Sequence, residues 1–327
     1  MPFAMQRRQL LRLTINATVL PVLGGIARAE TYPARPVHII VGFPPGSAAD
    51  IDSRLIGDWL SQRLGQQFII DNKPGAGSNI GAEIVAHSAP DGYSLFTIST
   101  VNAVNASLYP NLSFNFLQNF APVAGILRTP LIMEVNPTLP IKSVADFIAY
   151  TKANPGSVNF ASSGNGTGSH VAAELFRSMT GVEMTHVPYH GPAQALTDLI
   201  SGRVQVMFDV LTSSMAHVRS GEVRGIAVTT ATRSPALPDL PTVGDTVTGY
   251  EVSGWAALVA PKGTPAESTG ILNAAVNGGL ADPTVISKLA ALGAQPLVMS
   301  PAELGKHMAD ETAKWAKVIQ FAHIKVE

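Results

Sequence analysis

Two serines, a threonine, a third serine and a histidine fall within nine residues: Ser162, Ser163, Thr167, Ser169 and His170. Gly164, Gly166 and Gly168 alternate among them. Two chemistries suit such a stretch. Hydroxyls beside an imidazole can build a nucleophile and its base, or a small polar glycine loop can hold an anion with backbone amides. Glycine takes φ > 0 freely and lets the backbone approach a ligand closely. Val158–Phe160 before the loop reads as a strand, and 171–176 after it as a helix. A strand, a polar loop and a helix N-terminus leave N–H groups unpartnered, and the helix dipole adds to their pull on an anion. A second stretch has the same layout. There the strand-like 37–43 leads through Pro44-Pro45-Gly46-Ser47-Ala48-Ala49-Asp50 into a helical pattern. The reading is that the two loops face each other across a cleft and hold a small carboxylate.

The catalytic alternative pairs Ser162 or Ser163 with His170 as a hydrolase. No Gly-x-Ser-x-Gly elbow supports it. Gly164–Gly168 lacks dinucleotide spacing, and no Gly-Lys-Ser/Thr loop occurs, so no nucleotide cofactor is expected. His186 and His190 stand at i and i+4, but Pro188 between them argues against a helical two-histidine metal face. Ser47 and Asp50 fit an N-cap and its N3 partner as well as they fit a ligand site. His170 could donate to a carboxylate or open its helix against the core. Asp209, at a strand's C-terminal end, could accept from an ammonium group or pair locally. Tyr189 and His190 read as loop supports.

The elements that must position these residues alternate strand and helix. Strands are expected at 37–43, 68–70 and 93–99, with helical patterns between them. That spacing argues for a parallel, doubly wound sheet, with ligands at the strands' C-terminal ends, near Phe43–Ser47, Asn72–Asn79 and Ser99–Asn102. Strands 123–127 and 131–135 flank Arg128-Thr129-Pro130, where a first crossing between domains is placed. A second is placed near 252, before strand 254–259. Capping boxes with Pro at N1 are read at Thr264–Glu267 and Ser300–Glu303. The expected organisation is a signal peptide over 1–29, a discontinuous first domain over 30–129 and 253–327, and a second domain over 130–252.

The N-terminus reads as a leader. Arg7, Arg8 and Arg12 precede a mostly apolar run to Ile26, and Ala27-Arg28-Ala29 resembles a cleavage site. Arg7-Arg8 loosely matches a twin-arginine signal. Without 1–29 the chain keeps 18 basic and 23 acidic residues, a formal charge of −5. Nucleic acid is a poor partner for that balance. The chain has no Cys, which excludes disulfides and thiolate chemistry. At 327 residues and 46% hydrophobic, a packed two-domain protein is expected.

Several stretches together resemble one family. They are 32–37, 43–50, Asn72–Gly77, Asp91-Gly92-Tyr93, Ser162–His170, Val187–Gly191, Leu237–Thr242 and Ala260–Pro265. In order, they are similar to the Bug family, the periplasmic solute receptors of tripartite tricarboxylate transporter systems. The resemblance covers the whole chain after the leader. It implies an α/β two-domain periplasmic-binding-protein fold of type II, with a doubly wound sheet in each domain and the ligand in the cleft between. It implies a monomer that binds small organic acids, amino acids or aromatic acids largely through backbone groups. The closed form would be presented to membrane transporter subunits or to a sensor kinase. By position, the ligand-binding residues would be Phe43, Pro44, Gly46, Ser47, Asp50 and Thr100 from one domain. Ser162, Ser163, Gly166, Thr167, His170 and Asp209 would come from the other. No catalytic residue, metal or cofactor is implied. Ser47 stands where the family has a second Gly, and His190 where it has Lys, so ligand preference is open.

Overall fold

A computed structural model describes residues 32–325; the expected leader and its cleavage site lie outside the described residues. The chain begins with β1 (Val37–Val41), α1 (Ala48–Leu64), β2 (Phe68–Asn72), α2 (Asn79–Ala86), β3 (Ser94–Ser99) and α3 (Thr100–Leu108). The long strand β4 (Phe120–Val135) follows, then α4 (Val144–Ala153), β5 (Asn159–Ser162), α5 (Gly168–Thr180), β6 (Thr185–Pro188) and α6 (Pro192–Ile200). The remainder is β7 (Val206–Val210), α7 (Leu211–Ser220), β8 (Arg224–Val228), β9 (Ser253–Pro261), α8 (Ala266–Leu280), α9 (Pro283–Ala291), β10 (Gln295–Pro296) and α10 (Pro301–Ala322).

The strand order is β2-β1-β3-β9-β4-β7-β5-β6, with β8 and β10 also paired to β4. Parallel pairs β1–β2, β1–β3, β5–β6 and β5–β7 lie on the outside. Antiparallel pairs formed by β4 and β9 lie in the middle. The three strands whose spacing argued for a parallel sheet do pair in parallel, while the sheet as a whole is mixed. A β-α-β unit predicts only its own parallel pair, and β4 and β9 return from distant parts of the chain.

The strand β4 differs from expectation. It is one 16-residue strand, not two strands split at Pro130. Phe120–Pro130 pairs with β9, and Leu131–Val135 pairs with β7 and β8. Proline lacks a ladder donor and breaks most strands. Here it lies where the partner strand changes, opposite Ser253. The Thr229 hydroxyl secures that point, accepting from the Leu131 amide at 3.0 Å and donating to the Val252 carbonyl at 2.6 Å.

Alternating side chains divide the packing. Ile39 and Val41 face Ile56 and Leu60 of α1 and Leu272 and Val276 of α8. Ile40 belongs to the opposite face, in a cluster with Val104 of α3, Trp315 of α10, Phe176 of α5 and Phe208 of β7. That cluster runs through both halves of the sheet, so α3, α5 and α10 share one core. The cap at Ser300 forms as expected, with Ser300 and Glu303 bonding reciprocally. The one at Thr264 does not. The helix α8 starts later, with Pro265 as N-cap, and the Thr264 hydroxyl turns back to the Pro261 carbonyl.

Candidate functional site

The first loop is held from below by a carboxylate. Asp50 is buried, and its Oδ2 accepts from the Gly46 amide at 2.8 Å. Its Oδ1 accepts from Asn72 Nδ2 at 3.0 Å, and the same amide group donates to the Phe43 carbonyl. Arg54 pairs with Asp50 at 2.9 Å. Burial alone would raise the Asp50 pKa, but hydrogen bonds from Arg54, Gly46 and Asn72 outweigh it and hold the group below the usual carboxylate range. Ser47 caps α1, accepting from the Asp50 amide at 3.3 Å. Half of the anticipated capping box thus forms, while the Asp50 side chain bonds Gly46 in place of Ser47. The Ala48 and Ala49 amides have no acceptor among the described residues. Phe43 is half-buried, and Pro44 and Gly46 are exposed beside them.

The second loop is wired by two histidines. His170 Nδ1 accepts from the Gly166 amide at 3.1 Å. The His186 ring lies 3.9 Å from that of His170 and nearly parallel to it, with Phe160 against both. His186 Nε2 and the Ser162 hydroxyl are 2.6 Å apart. Burial, then the neighbouring His186, then Arg177 push His170 down to about 3. Burial and Arg177 push His186 down to about 4. Both rings are therefore neutral at neutral pH, and His170, accepting at Nδ1, carries its proton on Nε2. Thr167 donates to the Gly164 carbonyl at 2.7 Å, and the Ser163 amide donates to Ser169 at 2.9 Å. The Gly168, Ser169 and His170 amides at the start of α5 find no acceptor among the described residues. In both loops the named glycine's own amide is used internally, and the free donors lie two to four residues further on.

The helix α3 joins the two regions. Asn105 Nδ2 donates to the Gly77 carbonyl at 2.6 Å and to Asn79 at 3.0 Å, and Asn102 approaches Ser78 at 3.5 Å. Gly42, just before the first loop, is pressed against Ser78 so closely that no side chain fits there. From the other side Gly166 abuts Leu108, Val104 and Asn105. Thr100 begins α3, and its buried hydroxyl has no partner among the described residues.

Asp209 sits near the end of β7, the strand beside β5. It is 1% exposed, and its Oδ2 meets the Ser213 hydroxyl at 2.5 Å and that of Ser214 at 3.0 Å. Ser214 also meets Glu134 Oε1 at 2.8 Å. The partners of Asp209 are Ser213 and Ser214 of α7 and the adjacent Val210 amide, none of them in either loop. Burial raises both acids, Glu134 also through the charge of Asp209. The Ser214 hydroxyl faces both carboxylates, and its one proton cannot serve both at once.

Sequence reasoning placed Asn72 at a strand end without giving it a role, and missed Asn105 and the role of His186. The spacing of Val101, Val104 and Leu108 carried the signal for α3. Nothing local tells that His186 stacks on a residue 16 positions earlier. Among the described residues, no cluster of His, Asp and Glu fits a metal.

Two blocks of parallel strands joined through antiparallel middle strands make an α/β fold that matches solved periplasmic solute-binding proteins. The solved structure of periplasmic binding protein BugD matches with TM-score 0.81 and 31% identity over 90% of this chain and all of that one. The chain belongs to the tripartite tricarboxylate transporter receptor family, whose model matches residues 53–324. The Rhodopseudomonas palustris protein Rpa4515, solved with adipate, is 39% identical at TM-score 0.84, covering 90% of this chain and 99% of that one. MatC from the same organism, solved with bound malate, is 31% identical at TM-score 0.79, covering 88% and 100%.

Proposed function

We propose that this protein is an exported receptor that captures a small organic dicarboxylate and hands it to membrane transporter subunits. The observation that carries the reading is the pair of helix starts, at Ala48–Ala49 and at Gly168–His170, whose amides have no acceptor. The second borders α3 through Gly166; the first follows Gly42, which packs on Ser78, itself 3.5 Å from Asn102 of α3. Similarity to proteins solved with adipate and malate supports a ligand with two carboxylates. We place the lobes at 30–129 with 253–327, and at 130–252, because β4 changes partners at Pro130 opposite Ser253. In this reading the ligand closes the lobes about that point. Ser47, Thr100, Ser163 and Thr167 add hydroxyls around the amides. Asp50 and His170 hold the loops in shape. Asp209 acts through α7, not on the ligand.

Each charge-assisted hydrogen bond to a carboxylate is worth about 1.5–3 kcal/mol. Micromolar binding needs about 8 kcal/mol net. Four or more such bonds, less ordering costs, reach it. Titration calorimetry with adipate, malate and dimethyl adipate tests the reading. A micromolar Kd for one diacid and none for the diester is expected. Equal binding of the diester, or no binding of any diacid, would overturn it.

The Ser162–His186 contact is the feature a hydrolase reading would use. Ser162 is fully buried, and its oxygen also accepts from the Gly164 amide at 3.2 Å. That arrangement positions a loop and keeps the hydroxyl from a substrate.

A further inference from the structure

Beside Pro130, where β4 passes from one set of partners to the next, lies a depression of about 160 Å³. Arg128, Arg233, Ser234 and Glu251 line it. Arg128 belongs to the half of β4 paired with β9 and β10. Arg233 and Ser234 follow β8, which pairs with the other half. The depression therefore spans the point about which the two halves would move.

Its cations lack partners. Among the described residues, neither arginine forms an ion pair, with Glu251 or with any other acid. The Arg128 Nε–H is buried and meets no acceptor. A guanidinium cannot shed its proton, so this donor cannot be silenced by titration. A buried donor without an acceptor costs free energy, and other atoms of the same guanidinium side chain line the depression. Arg233 makes only a long contact, 3.4 Å to the Pro238 carbonyl. Ser234 is buried and accepts from the Ala236 amide at 3.3 Å, which leaves its own proton to give.

Size narrows the ligand. Organic ligand pockets run from about 300 Å³ upward. At roughly 30 Å³ per water, this space equals about five waters. Two arginines face Glu251, with Asp245 also in reach of Arg233, so the site suits one small anion and not a polyanion.

We propose that this depression is a second ligand site, for a small inorganic oxyanion of phosphate or sulfate size. Arg128 and Arg233 hold it, and Ser234 donates a third bond. The ion ties the β4 half of the site to the segment after β8 and so steadies the crossing.

Inorganic phosphate is the probe. Thermal unfolding of the full chain is followed against 0 to 50 mM phosphate, with chloride keeping ionic strength constant. A saturable rise in Tm is expected. Arg233→Ala removes an exposed side chain and should weaken the apparent phosphate affinity at least tenfold. Arg128→Met should do the same where it folds. Adipate affinity, read by calorimetry, should stay within twofold in both. A phosphate effect that is absent, or that survives undiminished in Arg233→Ala, would overturn the proposal. In the second case phosphate binds elsewhere, such as at the loop amides.

Discussion

Gly166→Ala tests whether the second loop is seated on α3. Gly166 has φ +75°, a left-handed conformation, and a Cβ there would lie 2.6 Å from Leu108 Cδ2. The left-handed backbone costs about 1–2 kcal/mol for a residue with a Cβ. Relieving the overlap costs about 1–3 kcal/mol more. Gly46→Ala is the control. Its φ is +81°, but no atom lies within 4 Å of the added carbon, so only the backbone cost applies. Urea unfolding of both variants should show Gly166→Ala as the less stable by about 1–3 kcal/mol. A double-mutant cycle sharpens the point. Leu108→Ala opens space on α3, so the overlap cost should vanish in the double variant, giving a coupling of at least about 1 kcal/mol. Additivity within about 0.5 kcal/mol would refute the contact, and with it the bridge from the second loop through α3 to the first.

Two further outcomes follow from the same geometry. His170 titrates at about 3 in the folded chain and near 6.5 in the unfolded one, so the unfolded state binds the extra proton below pH 6.5. Its contribution to stability is intact above pH 6.5 and falls as pH drops, by about 2 kcal/mol at pH 5. Histidine NMR should show the His170 and His186 rings neutral, without inflection, from pH 8 to pH 5. An inflection near 6.5 would mean the stacked pair is solvated. Asp50→Ala removes the acceptor of Gly46, Asn72 and Arg54. It should cost about 1–3 kcal/mol in urea unfolding and raise the adipate Kd by more than tenfold. Asp50→Asn should keep part of both, and an unchanged Kd would show that the first loop holds its shape without this carboxylate.

Local order was legible where local rules decide it. The β1–α1 and β5–α5 units follow from β-branched runs, glycine turns and helical spacing, and the Ser47 and Ser300 caps from residues three apart. The site's scaffold was less so, because distant residues build it. The contacts of Asn72 with Phe43 and Asp50, of Asn105 with Gly77, and of His186 with His170 depend on which strands and helices become neighbours. Asp209 shows the reverse case. Local pairing was one of its two sequence readings, and it bonds Ser213 and Ser214 of α7, which begins one residue after β7 ends. Backbone donors leave little trace in sequence, since any residue supplies an amide. The loops were readable from their glycines, while the free amides emerged only from the hydrogen-bond partners of each position.

The central claim is that one dicarboxylate engages the starts of α1 and α5 together. Amide NMR during adipate titration tests it most directly. The account predicts large, saturable shifts at Ala48, Ala49, Gly168, Ser169 and His170 with a common Kd. Shifts confined to one helix start, or appearing only at residues away from both, would contradict it.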